Sequence, residues 1–460
     1  MKRLLMITAE RSLKYIDSLD DSSVFPANEA VNHLDIFDEP FPEDPDDPEK
    51  IISFLDDLGS PATVKSTSGR YFGFVTGGCL PAALAAHWLS STWDQNAAMN
   101  IMSPISNVLE QTSLRWLKDV FRLPPDAGGG FVSGATVANF TALAAARHAI
   151  LKKLNWDVES QGLFGAPHVN VVVSDEVHVS VLKALSLLGF GRDRLIRVPT
   201  DSQGKMRADA FPPLTNNTIV CIQAGNVNTG AFDPAHEICS IAHAKDSWVH
   251  VDGAFGLWAT AAPKRAELTS GVEEADSWAT DAHKWLNVAY DCGIVLCKNP
   301  EYLNSAMSSS ATYLVGDREI EPHEYVPDMS RRARGVEVWA ALKSLGRDGL
   351  ADLIERTCEY ASRFASGLRK AGYQVLNDVV INQVLVKFGD AETTRRVVAS
   401  VQADGTCWCG STVWHGETAM RISVSSWATC ETDVDRSLSA ILNIAEAETH
   451  RLHTKTANLK

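Results

Sequence analysis

Trp278-Ala279-Thr280-Asp281-Ala282-His283-Lys284-Trp285 is an apolar run that ends in a dense polar cluster, with one lysine between a histidine and a tryptophan. Upstream, a second strand-like run, Trp248-Val249-His250-Val251-Asp252, ends in an acid followed by Gly253-Ala254-Phe255-Gly256. Taken singly, a lysine near a strand end is most often solvated and an aspartate there most often caps a turn or helix. As a pair at the ends of two buried strands they have a shared use. The amine condenses with an aldehyde, and the carboxylate keeps a heteroaromatic nitrogen protonated so that the ring accepts electrons. That chemistry belongs to pyridoxal 5'-phosphate (PLP), with Lys284 as the Schiff-base lysine and Asp252 as the partner of the pyridine nitrogen.

A phosphorylated cofactor also requires an anion site. Gly128-Gly129-Gly130-Phe131-Val132-Ser133-Gly134-Ala135-Thr136-Val137-Ala138-Asn139 runs into an alanine-rich helix predicted over 140–154. Small residues before a helix start let phosphate approach free N–H groups and the positive end of the helix dipole, and Thr136 adds a hydroxyl. An ordinary capped helix after a glycine turn has the same pattern; the phosphate favours the anion site. Ser174-Asp175-Glu176-Val177-His178 follows a strand predicted over 169–173 and opens another helix. An imidazole there can stack on a flat ring while its nitrogens reach a substrate carboxylate. A lone histidine is more often a cap or a core residue, and the company of Asp252 and Lys284 is what favours the functional role.

These residues need elements to hold them. Apolar runs at 169–173, 219–222, 248–251, 277–280 and 293–296 alternate with helical stretches, the pattern of an α/β protein with a mostly parallel sheet covered on both faces. Ligands of such sheets sit at the carboxyl ends of strands, the address shared by Asp252 and Lys284. Residues 1–70 read as a helical arm: Leu13, Ile16 and Leu19 fall at helical spacing, 38–49 is rich in Asp, Glu and Pro, and 51–58 forms a short amphipathic helix. Residues 71–335 form the large domain. Residues 336–460, with helices over 336–345 and 350–371 and strands near 373–376, 384–388 and 420–424, form a small α/β domain.

Together these features resemble the PLP-dependent group II amino-acid decarboxylases, the aromatic-amino-acid, histidine and glutamate decarboxylase family, within the aspartate-aminotransferase fold type. The most specific matches are 174–178, 250–256 and His283-Lys284-Trp285-Leu286; Phe72 to Thr76 before Pro81, and Ser330-Arg331-Arg332-Ala333-Arg334 before Trp339, agree at either end. The resemblance implies a fold type I PLP-dependent transferase architecture with a seven-stranded-type sheet. It implies that Lys284, Asp252 and His178 act as described, that Ala135 and Thr136 hold the phosphate, and that Thr76 and His283 line the cofactor site. It also implies release of CO2 from an L-amino acid, aromatic or related. Three positions depart from the family. Val227 stands where relatives carry a cofactor-contacting threonine, leaving Asn226 or Asn228 to substitute or the contact absent. Asp281 replaces an asparagine of many animal members and adds a second acid. The loop from 316 to 329 is short, leaving Tyr325 and His323 as candidates to protonate Cα, Tyr325 serving equally as a loop anchor. Arg421 faces either a substrate carboxylate or a salt-bridge partner.

The formal charge of −15 argues against nucleic acid and anionic membrane surfaces as partners. No apolar run is long enough to span a bilayer, and the four-residue apolar stretch near the start is too short for a secretory signal. Nine cysteines without CxxC or Cys/His spacing predict reduced thiols, a cytoplasmic setting and no metal site. An arm that cannot stand alone, in a family whose sites lie between subunits, predicts a homodimer. Competing readings are an aldehyde-forming decarboxylase that also deaminates oxidatively, an aminotransferase, and a PLP-binding scaffold. Aromatics at Phe72, Phe74 and Trp93 are either a pocket lining or packing.

Overall fold

The computed structural model describes residues 1–309 and 321–457, with the backbone alone for 450–457. Two compact units emerge: Val75–Glu359 with Asn377–Gln383, and Met1–Phe74 with Tyr360–Leu376 and Val384–Lys460.

The larger unit is built on a seven-stranded sheet: β1 (Gly128–Val132), β2 (Asn170–Ser174), β3 (Ile196–Val198), β4 (Thr218–Gln223), β5 (Trp248–Asp252), β6 (Ser277–Asp281) and β7 (Gly293–Cys297). Their spatial order is β1-β7-β6-β5-β4-β2-β3. The β2/β3, β2/β4, β4/β5 and β5/β6 pairs are parallel, and β7 is antiparallel to both β6 and β1. This is the expected α/β, mainly parallel architecture. Every residue of β4, β5, β6 and β7 is buried, so both faces must be covered, which explains their near-continuous apolar sequence. Helix Ala135–Lys153 supplies one cover. Its Ala138, Ala142, Ala145, Ala146 and Ile150 pack in one cluster with Val171, Val173, Ile219, Ala279 and Val295. The alanines make that approach close, and their spacing buries the helix nearly all round.

Register places the chemistry. Gln223 pairs with Asp252 and Asp252 with Ala279, so β4 and β5 end level while β6 runs two residues further to Asp281, which pairs with Gly293 at the same edge. The alternation of a strand puts His250 and Asp252 on one face, and the pairing of His250 with Ser277 adds that serine to it.

The three glycines 128–130 are a strand, not part of the turn expected before the helix. A Cβ on Gly129 would stand 2.1 Å from the carbonyl oxygen of Val295, and one on Gly128 2.5 Å from Pro300 Cβ. Close packing against β7 and its following helix therefore accounts for them, and Ser133-Gly134 alone makes the turn. The helix begins at Ala135, earlier than the apolar periodicity indicated. The predicted pair of helices after residue 336 is a stretch Arg334–Lys370 broken at Gly346, whose φ of +62° no helix accommodates.

The other unit carries a four-stranded sheet of β8 (Gln374–Val375), β9 (Gln383–Lys387), β10 (Gly410–Trp414) and β11 (Glu417–Ser423), in the order β10-β11-β9-β8. The β10/β11 hairpin turns through His415 and Gly416, both at positive φ, the geometry a two-residue hairpin favours. Helix Lys2–Asp17 has no buried residue and is tied down through Arg11, which pairs with Asp56 and Asp57, each at 2.7 Å. Phe72 is fully buried and meets the Phe364 ring edge-on at 5.0 Å, so it is a core residue and not a pocket lining.

Candidate active site

Asp252 ends β5 with its side chain nearly sealed from solvent. Its Oδ1 accepts the N–H of Ala254 at 3.2 Å, and its Oδ2 lies 3.5 Å from the Ser180 hydroxyl. Among the described residues it receives only these two long bonds. A buried carboxylate so placed keeps acceptor capacity for a further donor.

Asp281 ends the neighbouring β6, and three residues on, Lys284 turns its Nζ to within 2.9 Å of Asp281 Oδ2. Asp281 is 2% exposed and the lysine side chain 22%, so the ammonium is held on a buried anion yet remains reachable. The loop bearing the lysine is matched by Gly77. Gly77 has a φ of +71°, and a Cβ there would lie 1.9 Å from the Lys284 carbonyl oxygen. Only glycine lets the segment carrying Thr76 lie so close. The Thr76 carbonyl accepts the Tyr290 hydroxyl at 3.4 Å, and the Tyr290 ring lies 4.3 Å from that of His283. Thr76, His283 and Lys284 are thereby assembled.

Asp281 is the hub. Its Oδ1 accepts the N–H of Ala135 at 2.6 Å and stands 3.7 Å from His283 Nε2. The N–H of Cys292 donates to His283 Nδ1 at 3.1 Å, so the neutral ring carries its proton on Nε2, facing Asp281. Burial pushes the His283 pKa below the ordinary imidazole range, against the attraction of Asp281. The helix start is brought to this point by a glycine pair: a Cβ on Gly293 would lie 2.5 Å from Gly134 Cα. Sequence reading treated Asp281 only as an extra acid. Its place at a strand end, three residues before the lysine, was the available signal.

His178 caps helix Val179–Leu187. Its Nδ1 accepts the Ser180 N–H at 3.2 Å and lies 2.7 Å from the Ser180 hydroxyl, which also approaches Asp252. One serine, unnoticed in the sequence, joins His178 to Asp252. Thr136 follows Ala135 in the first helical turn and is partly exposed.

Tyr325 ends the turn Pro322–Tyr325, packs on the cluster containing Val326 and Leu303, and walls a cavity of about 190 Å³ with Gln111, Pro300 and Gly129. None of the residues lining that cavity belongs to the Lys284–Asp252 group. Burial raises its phenol pKa. His323 is buried and its Nδ1 donates to the Ala98 carbonyl at 3.2 Å. Residues 316–320 of the candidate loop lie outside the described residues. Asn226 spends its Oδ1 on the N–H groups of Asn228 and Thr229, closing the turn around Val227. Phe74 is exposed and stacks on Trp408, and Trp93 is also exposed. Arg421 lies on β11, where burial lowers its pKa.

Residues 31–388 match the family model described as the pyridoxal-dependent decarboxylase conserved domain. The chain is 29% identical over 396 residues to an aromatic-L-amino-acid decarboxylase of Bacillus atrophaeus, covering 81% of this chain and 80% of that one. It is 30% identical over 391 residues to an L-2,4-diaminobutyrate decarboxylase of Rhizobium meliloti (strain 1021), covering 80% and 76%. The solved structure of Oryza sativa TDC with PLP and tryptamine shares the fold, with a TM-score of 0.89 at 21% identity over 97% of both chains. A 4-hydroxyphenylacetaldehyde synthase of Rhodiola rosea does so at 0.84 and 21%, over 96% of this chain and 97% of that one.

Proposed function

On the premise that this chain belongs to the pyridoxal-dependent decarboxylase family, whose members are PLP-using carboxy-lyases, we propose that it releases CO2 from an aromatic or related L-amino acid to give the amine. The observation that carries the reading is the placement of Asp252 at the carboxyl end of β5 and of Lys284 three residues past the end of the adjacent β6, the amine reachable and the carboxylate buried. The aromatic preference is supported by the names of relatives, which include aromatic-L-amino-acid and tryptophan decarboxylases.

When bound, PLP supplies an aldehyde for an amine and a ring that takes up the electrons of the cleaved Cα–carboxylate bond. Lys284 is the residue that holds it. Asp252 keeps the ring nitrogen protonated, a charge-assisted pair in a dry site. His178 would cover the ring face, with its imidazole proton on Nε2 because Nδ1 is an acceptor. Thr136 at the helix start provides the phosphate donor, the Ala135 N–H being bonded to Asp281 so that Ala135 contributes only its small side chain there, and Thr76 and His283 complete the lining. Asp281, 2.9 Å from its Nζ, holds Lys284 in place before the cofactor arrives.

The test is direct. Purified protein mixed with PLP gains visible absorption that borohydride bleaches, and a panel of L-amino acids scored for CO2 release finds the substrate. Lys284→Ala loses both colour and turnover; a variant that keeps both overturns the assignment. The aldehyde-forming reading has one observation in its favour: Tyr325, the candidate to return a proton to Cα, packs on the cluster of Val326 and Leu303 and lines a cavity to which Lys284 does not contribute. Hydrogen peroxide and ammonia among the products would establish it.

We further infer a homodimer built on the arm 1–70, with residues 71–335 and 336–460 as its large and small domains. Helix Lys2–Asp17 buries nothing, and Met6, Leu13 and Phe41 are exposed at 64%, 55% and 93%. Apolar surface of that kind calls for a cover. Among the described residues no helix is long and apolar enough to cross a membrane, and all nine cysteines are free, which supports a reducing compartment such as the cytoplasm.

A further inference from the structure

A buried hydrogen-bond chain ends at the two groups assigned to the cofactor ring. It starts at Trp248, whose indole N–H donates to Ser277 Oγ at 3.0 Å. Ser277 lies 2.9 Å from His250 Nδ1, and His250 Nε2 lies 2.9 Å from Asn139 Oδ1. Asn139 Nδ2 donates to Ser180 Oγ at 3.3 Å. The Ser180 hydroxyl then faces two acceptors, His178 Nδ1 at 2.7 Å and Asp252 Oδ2 at 3.5 Å. Asn139, His250 and Ser277 are fully buried, and Trp248, Ser180 and Asp252 nearly so.

The direction of the chain follows from its ends. An indole N–H can only donate and an ionised carboxylate can only accept. With those ends set, the Ser277 proton goes to His250 Nδ1, the His250 proton sits on Nε2 and goes to Asn139, and the Asn139 amide donates to Ser180. A neutral His250 is required for this, and burial enforces it by pushing the pKa down to about 3. Each link is dry, so each is stronger than its counterpart in water and costly to leave unmade. Ser180 receives one proton's worth of donor from Asn139 and passes its own onward. Its N–H at 3.2 Å by itself commits His178 Nδ1 as an acceptor, which keeps the imidazole proton on Nε2, and its single hydroxyl proton serves one of the two acceptors, His178 Nδ1 or Asp252 Oδ2, at a time.

We propose that His250, Asn139 and Ser180 are positioning residues that hold Asp252 and His178 in the orientation and tautomer the cofactor ring needs. The inference rests on Asp252 and His178 being the ring's partners. None of the three residues need touch the substrate; they act through the two that meet the ring. His250 and Ser277 pair across β5 and β6, and Asn139 comes from the helix laid on that sheet, so the chain ties both elements to the cofactor site.

The experiment uses the full chain, stripped of PLP and titrated with it while visible absorption is followed. Ser180→Ala and Asn139→Leu are expected to raise the PLP dissociation constant about ten-fold or more and to lower kcat similarly, with KM little changed. Ser180→Thr keeps the hydroxyl and is expected to recover most of both. The melting temperature of the PLP-free Ser180→Ala protein is expected to stay near that of the unaltered chain, separating positioning from folding. Should Asn139→Leu not fold, the Ser180 pair decides alone. Equal PLP affinity and kcat in Ser180→Ala and the unaltered protein would overturn the proposal, as would a Ser180→Thr variant as impaired as Ser180→Ala. An unaltered protein that takes up no PLP would instead defeat the reading beneath it.

Discussion

Asp281 shows how much one carboxylate organises at this site. It holds the Lys284 ammonium, the first N–H of the helix and the proton-bearing side of His283, all at 2% exposure. Asp281→Ala would leave a buried N–H without its partner and an ammonium without its anion, a loss of about 1–3 kcal/mol. Calorimetry of the PLP-free protein checks this. Asp281→Asn keeps an acceptor for Ala135 and is expected to recover part of the loss, the remainder measuring the charge. At this scale the sequence was informative wherever a residue type has few other uses. A lysine in an apolar run and an acid at a strand end are conspicuous; Ser180 is not, because serines are common and its partners come from 41 and 72 positions away in the chain.

At the scale of elements, glycines show where backbones must meet. Gly77 and Gly346 both have positive φ, 71° and 62°, so alanine strains each alike. Only Gly77 meets a backbone, the Lys284 carbonyl, while nothing lies within 4 Å of a Cβ at Gly346. Gly346→Ala should therefore cost about 1 kcal/mol and leave PLP binding intact. Gly77→Ala should cost about 2–4 kcal/mol, since the lysine loop must move as well. It should also weaken PLP uptake. Paired denaturant melts and PLP titrations distinguish the two. The strands β2, β4, β5, β6 and β7 were legible from their apolar runs. β1 was not, because three glycines carry no strand signal and only the ladder with β7 makes them one.

For the whole molecule, buried histidine links stability to pH. His250 has a folded pKa of about 3 against an ordinary 6.5, so it contributes stability above pH 6.5 that is lost as pH falls from 6.5 towards 3. Within that window the unfolded chain binds a proton that the native one refuses, a slope of about 1.4 kcal/mol per pH unit. His250→Gln should flatten acid unfolding by up to that slope, whatever its effect on absolute stability, in denaturant melts at a series of pH values. The arm gives the other prediction at this scale. Light scattering should find two copies per particle, and a deletion of 1–17 should shift the protein towards monomer with loss of activity. A fully active monomer would defeat that assignment.

The chain's own order of residues was enough to single out Lys284, Asp252, His178 and the Ala135-Thr136 segment as candidates and to show the alternation of strands and helices, since each is a local pattern of residue type and period. It could not reveal Asp281 as the hub, the serine shared by His178 and Asp252, or the route from Trp248 to those two residues. Those depend on register: His250 opposite Ser277, Asp252 level with Ala279, and one helix laid so that Asn139 reaches both His250 and Ser180. Hydrogen bonds reach only about 3 Å, so residues far apart in sequence acquire a joint role only once the sheet has paired and the helix has docked.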